Sequence, residues 1–218
     1  MHDKFTRLTP EMHQYMVERG ARQDEVLARV ERETEAMGDI AVMQVAADQG
    51  AMLELMVRSF GVRVAVEVGT FTGYSAICIA RGLAPDGRLT CLELNEDYAR
   101  TAEQNLSAAG LADVSEVRVG PALEALRAMP SAPEIDFAFV DADKTSYPEY
   151  YEELLTRLRP GGMMMLDNVL LSGRVLDPPE DDESAKVMRR LNDAIAIDER
   201  VDVAMIAVAD GITLARKR

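Results

Sequence analysis

The feature that most constrains this chain is an alternation of two periodicities. Short apolar runs rich in β-formers recur at 64–68 (VAVEV), 88–93 (RLTCLE), 114–119 (VSEVRV), 135–140 (IDFAFV) and 163–167 (MMMLD). Helical patterns fill the gaps at 74–84, 96–109, 122–129 and 147–158. A strand that returns parallel to its predecessor needs a crossover, and such crossovers are right-handed. The alternation therefore predicts a parallel sheet covered by helices on both faces. Two later runs, 201–208 (VDVAMIAV) and 212–216 (ITLAR), are joined by only Ala209-Asp210-Gly211. So short a link suits a hairpin, which makes the last strand antiparallel. The expected fold is thus α/β, a doubly wound, mostly parallel seven-stranded sheet with an antiparallel last strand.

Residues 1–60 are expected to form a helical N-terminal part packed on the core of one domain spanning 1–218. Thr9 precedes Pro10, a cap followed by proline in the first turn, where its missing N–H costs nothing. Val26, Leu27, Val30 and Met37 keep helical spacing, and Gly38 is a natural stop. Asp48 is a candidate cap for a helix carrying Met52, Leu53, Met56, Val57 and Phe60. Residues 172–183, with Pro178-Pro179 and the acidic run Glu180-Asp181-Asp182-Glu183, look like a solvated loop.

Composition narrows the function. A chain of 218 residues is long enough to need neither disulfide nor metal for its core. Lys plus Arg number 24 against 38 Asp plus Glu, a formal charge of −14. That balance disfavours nucleic acid and anionic membrane as partners, because both attract basic patches. It fits a cytoplasmic protein. Cys78 and Cys91 lie inside apolar runs, which suits buried thiols better than a disulfide or zinc pair. His2 and His13 lie far along the chain from every later motif, which argues against a Ser-His-Asp triad. No stretch looks long and apolar enough for a membrane span, and Glu11, Glu18 and Arg19 break any signal-peptide core.

Two constellations carry chemistry. VEVGTFTGYS (66–75) joins the first strand to the next helix, with Gly69 and Gly73 where a ligand can approach the backbone closely. The dinucleotide fingerprint G-x-G-x-x-G would need glycine at Phe71. Here instead Glu67 precedes the first glycine, and a carboxylate there suits a cationic or neutral cofactor better than a pyrophosphate. Glu93 ends the second strand, 24 residues after Gly69, where an acid commonly receives ribose hydroxyls. Together they favour a nucleoside with a positive centre, a description that fits S-adenosylmethionine. The second constellation is Asp141, closing one strand in FVDADK, with Asp167 and Asn168 closing the next. Three oxygen-bearing side chains at one sheet edge suit Mg²⁺ or a similar hard cation and not Zn²⁺. The competing reading, that these residues only cap loops, stays open at this stage. Lys144, three residues beyond Asp141, is placed to exchange a proton with a substrate hydroxyl.

As an ordered set, MQVAADQG, EVGTFTGYS, GPALEAL, FVDADK, DN and DGITLARKR resemble the small cation-dependent O-methyltransferases. That family is typified by the catechol and caffeoyl-coenzyme A O-methyltransferases. The likeness runs from about residue 40 to the C-terminus and is nearer the caffeoyl-coenzyme A branch. It implies a seven-strand methyltransferase fold, a homodimer, S-adenosylmethionine and a divalent cation such as Mg²⁺, and a catechol-like or hydroxycinnamoyl-like acceptor. It implies that Val45, Glu67, Gly69, Thr70, Phe71, Ser75, Glu93, Ala122, Asp141 and Asp143 contact the cofactor. Asp141, Asp167 and Asn168 match the metal ligands, and Lys144, with Asp141 beside it, the catalytic base. One departure stands out. Relatives often carry tryptophan two residues before the glycine of the following loop, whereas this chain reads Leu170-Leu171-Ser172-Gly173 and has no Trp. Two alternatives remain at this stage: a metal-independent methyltransferase on another acceptor, and a non-catalytic S-adenosylmethionine sensor.

Overall fold

The computed structural model describes residue 6 and residues 8–218; His2 lies outside the described residues. The strands are β1 (Val64–Val68), β2 (Arg88–Glu93), β3 (Ser115–Val119), β4 (Ile135–Val140), β5 (Leu158–Asp167), β6 (Val201–Ile206) and β7 (Ile212–Lys217). They form one sheet in the order β3-β2-β1-β4-β5-β7-β6. β1 to β5 pair in parallel, while β7 inserts antiparallel between β5 and β6. The expected antiparallel last strand is therefore present. The winding direction reverses between β1 and β4, and ligands of open α/β sheets sit in the crevice at such a point.

The helices are α1 (Pro10–Gly20), α2 (Glu25–Glu35), α3 (Ala47–Ser59), α4 (Tyr74–Gly82), α5 (Glu96–Ala108), α6 (Ala122–Ala128), α7 (Tyr147–Arg157) and α8 (Glu183–Ala196). Leu27, Leu53, Val57, Ile77 and Leu106, from α2 to α5, pack one face of the sheet. Leu126, Leu154, Met188 and Ile195, from α6 to α8, pack the other. Burying one such side chain contributes about 1.5–3 kcal/mol, so the two layers supply most of the drive to fold. Both cysteines are free and buried, as expected.

Several details differ from the sequence expectations. Thr9 caps α1 through its hydroxyl, but the second helix starts at an Asp24 cap and stops at Glu35, leaving Met37 outside it. Asp48 does not cap α3; it lies in the first turn, and its Oδ1 faces His13 Nε2 at 3.3 Å. His13 is therefore remote only along the chain. Residues Gly38–Ser59 are on average apolar enough to span a membrane, contrary to expectation. The stretch is a short 3-10 turn (Gly38–Met43) followed by α3, and Leu53 and Val57 bury in the sheet layer. The acidic run is partly structural: Asp182 caps α8 by accepting from the Ala185 N–H, and Glu183 begins that helix. α8 is absent from the sequence expectations, although Val187, Met188, Leu191 and Ile195 have the spacing of a buried helical face.

Candidate active site

The carboxyl ends of β1, β2, β4 and β5 open onto a single cleft of about 1200 Å³. Its floor is the turn after β1. Gly69 has φ +86°, and a Cβ there would lie 2.0 Å from the carbonyl oxygen of Asp141. Only glycine permits β1 and β4 to bring their ends this close. Phe71, at the position where a dinucleotide fingerprint has glycine, adopts φ +51° and sets its ring edge-on to Tyr98 at 4.8 Å. Thr72 is fixed from behind: its hydroxyl shares a 2.9 Å hydrogen bond with Thr34, and Asn105 Nδ2 donates to its carbonyl.

Glu93 closes β2 and turns back onto this loop. Its Oε2 accepts the backbone N–H groups of Thr70 (3.1 Å) and Phe71 (2.8 Å), and its Oε1 accepts from Asn95 N (2.9 Å). The sequence marks Glu93 as a ribose acceptor; the structure adds that it holds the turn's shape. Glu67 is fully buried beneath the turn and does not line the cleft. Neither of its oxygens has a hydrogen-bond partner. Burial pushes its carboxyl up to about 7.

Across the switch point lie the strand-end acids. Asp141 follows β4, Asp167 ends β5, and Asn168 follows in a left-handed conformation (φ +53°) that asparagine tolerates. Lys144 Nζ donates to Asp141 Oδ1 (3.0 Å) and to the Tyr147 hydroxyl (2.8 Å). The Tyr147 hydroxyl lies 3.1 Å from the carbonyl oxygens of both Val140 and Asp167, so one phenol ties the ends of β4 and β5 together. Asp167 accepts from Gln49 Nε2 (2.6 Å) and from Asn168 N (2.7 Å). Burial, reinforced by the facing Asp141 carboxylate, pushes the Asp167 carboxyl well above the usual carboxylate range. Two mutually repelling carboxylates beside an amide are a donor set that a hard cation would neutralise. Among the described residues no three His, Cys, Asp or Glu side chains cluster to hold a metal, so an amide oxygen is needed to complete such a set.

The structure thus gathers Val45, Gly69, Thr70, Phe71, Ser75, Glu93, Ala122, Asp141, Asp143, Lys144, Asp167 and Asn168 on one cleft, with Glu67 behind its floor. The fate of the missing tryptophan is also visible. Leu171, buried, and Ser172 line the far wall at φ +45° and +54°, and Asp210 in the β6–β7 turn accepts from Ser172 N (2.6 Å). Sequence reasoning missed Gln49, Tyr98, Tyr147, Tyr150 and Asp210. Gln49 and Asp210 lie inside quoted motifs, but only the fold brings them to the cleft. Tyr150 donates to Asp143 Oδ1 (2.7 Å) from a helix that reads as plain core.

A doubly wound sheet with its last strand inserted antiparallel, and a glycine turn facing strand-end acids across the switch point, define a methyl-transferring class of α/β enzyme. The chain belongs to the O-methyltransferase family, whose model matches residues 17–218. It is 35% identical over 197 residues to caffeoyl-CoA O-methyltransferase 2 of Zea mays, covering 85% of this chain and 74% of that one. It is 35% identical over 208 residues to tricin synthase 1 of Oryza sativa subsp. japonica, covering 85% and 82%. Among solved structures, the O-methyltransferase TomG from Streptomyces achromogenes, involved in tomaymycin synthesis and crystallised with SAM, superposes with a TM-score of 0.87. That pair shares 35% identity over 95% of this chain and 96% of the other.

Proposed function

We propose that this O-methyltransferase moves the methyl group of S-adenosylmethionine to one hydroxyl of a small vicinal-diol phenol, with a divalent cation in the site. The observation that carries this reading is the convergence of Asp141, Asp167, Asn168 and Lys144 on the cleft that contains the glycine turn. S-adenosylmethionine supplies an electrophilic methyl, and the turn 69–75 with Glu93 and Asp143 is the half of the cleft that would hold it. Asp141, Asp167 and Asn168 would hold the cation, which supplies Lewis acidity to a bound hydroxyl.

The chain's own residues do the rest. A phenol of pKa near 10 is about one part in a thousand ionised at neutral pH, a deficit of roughly 4 kcal/mol. Lys144 Nζ, held by Asp141 and Tyr147, would take the hydroxyl proton in its neutral amine form, once the ammonium has released a proton to solvent. Met43, Leu171 and Ala209 line the acceptor end, where an aromatic ring would lie against them.

Charge narrows the acceptor. Among the described residues the cleft is lined by five carboxylates (Glu93, Asp141, Asp143, Asp167, Asp210) and one ammonium, Lys144. Arg174, on the acceptor loop, is already bound to the Leu171 carbonyl and to Asp182. A coenzyme A thioester brings several phosphate charges and, among the described residues, meets no arginine on this lining. A catechol without a polyanionic tail suits it better. The test is methyl transfer from labelled S-adenosylmethionine to catechol, caffeate and caffeoyl-coenzyme A, with and without EDTA. Transfer to the free catechols should exceed that to the thioester, stop in EDTA and return with Mg²⁺ or Mn²⁺. Full activity in excess chelator would leave a metal-independent transferase, and absence of transfer with intact cofactor binding would leave a sensor.

A further inference from the structure

Gln49 enters the site only as a hydrogen-bond donor to Asp167, from a helix distant along the chain. It is fully buried on α3, and its Nε2 donates to Asp167 Oδ2 at 2.6 Å across 118 residues of chain. The other oxygen, Oδ1, accepts the Asn168 N–H at 2.7 Å. Two donors, one on each oxygen, define the plane of a carboxylate and leave a lone pair on each oxygen directed elsewhere. The side chain also faces the cleft itself.

The element that carries Gln49 cannot drift. A Cβ on the next residue, Gly50, would lie 2.7 Å from Tyr74 Cε1 and 2.9 Å from Cys78 Sγ, so α3 and α4 meet there without spare room. Leu53 and Val57 lock the following turns in the core. A donor on so fixed a helix holds its acceptor in one orientation. It is also uncharged, and therefore orients Asp167 without neutralising it, as a lysine at this place would. Partners of this kind, hydrogen-bonded to a ligating carboxylate, set its direction and tune the affinity of the site for its ion.

We propose that Gln49 is a positioning residue that presents the Asp167 carboxylate to the divalent cation, an inference that rests on the cation site assigned above. The alternative is a structural tie: the amide pins α3 to the end of β5 and has no bearing on the ion. The two part on metal affinity in the folded protein. Gln49→Met keeps the length and volume of the side chain and removes the donor. Gln49→Asn keeps the amide and withdraws it by one methylene.

The probe is Mn²⁺, titrated into the metal-free protein and followed by the electron paramagnetic resonance signal of the free ion. S-adenosylhomocysteine affinity and thermal unfolding are measured in parallel. Wild type should bind Mn²⁺; in both variants the Kd should rise roughly 10- to 100-fold, the range for loss of such a partner. Affinity for S-adenosylhomocysteine should stay within about twofold, because the turn after β1 is untouched. Wild-type Mn²⁺ affinity in either folded variant would overturn the proposal, even with a lowered melting temperature. Failure of the wild type itself to bind Mn²⁺ would instead remove the cation site on which the inference stands.

Discussion

The two halves of the cleft are built on opposite principles. The half beneath the glycine turn is made of backbone. Its shape follows from Gly69 pressed against the Asp141 carbonyl and from Glu93 holding two consecutive N–H groups, with Thr34 and Asn105 bracing it from behind. The acceptor half is made of side chains on strand ends and of a loop with strained residues. Leu171, Ser172 and Ala209 have φ between +45° and +54° there, a region that costs such residues about 1 kcal/mol or more, whereas Asn168 adopts it more cheaply. A backbone-built site cannot be retuned by substitution without losing its shape, whereas a side-chain site can. The first suits a ligand that never changes, the second an acceptor that varies within a family.

Removal of the proposed base should break the comparison most sharply. Lys144→Met is expected to lower kcat by about 10²–10⁴, the usual range for a general base, while S-adenosylhomocysteine binding measured by calorimetry holds. Loss of cofactor affinity in this variant would mean that the halves are not independent. Acceptors with more acidic hydroxyls should recover part of the rate if Lys144 takes a proton, and none if it only balances charge.

The next effect concerns Glu67, the buried acid beneath the backbone half. Its pKa stands near 7 in the fold against an ordinary 4.5. Below 4.5 the carboxyl is protonated both folded and unfolded and contributes no pH dependence. Between 4.5 and 7 the unfolded chain releases its proton and the folded one keeps it, so stability falls as pH rises, and above 7 the loss levels off. The full loss is on the order of 3 kcal/mol. Glu67→Gln, compared with wild type by urea unfolding at both ends of that window, should gain stability selectively at the alkaline end. An equal difference at both ends would show that the carboxyl is ionised throughout.

The smallest effect lies in the strained loop. Ser172→Gly relieves a φ of +54° at an exposed position. It should raise stability by no more than about 1 kcal/mol, or roughly 2–4 °C in a chain of this size. Steady-state kinetics should locate any change in the acceptor KM, with the KM for S-adenosylmethionine unmoved. A shift in the latter would place the loop in the wrong half.

Much of this was written locally along the chain. Hydrophobic period alone locates the strands and most helices to within a few residues, because the face a residue presents depends on its near neighbours. The acids at the ends of β4 and β5 and the glycines after β1 could be read for the same reason: strand ends and turns are local features. α8 was equally legible in its spacing. Tertiary structure alone decided what those ends meet. The order of strands in the sheet sets β1 beside β4, and that adjacency turns Gly69 into a contact with Asp141. Packing of helices and turns around that sheet brings Gln49 to Asp167, His13 to Asp48, and Asp210 to the acceptor loop. Each of those pairs joins segments that no short-range pattern relates. The sequence determines which elements form, since local sterics and burial period act residue by residue. Their meeting points are decided only when the whole sheet closes its two apolar layers at once.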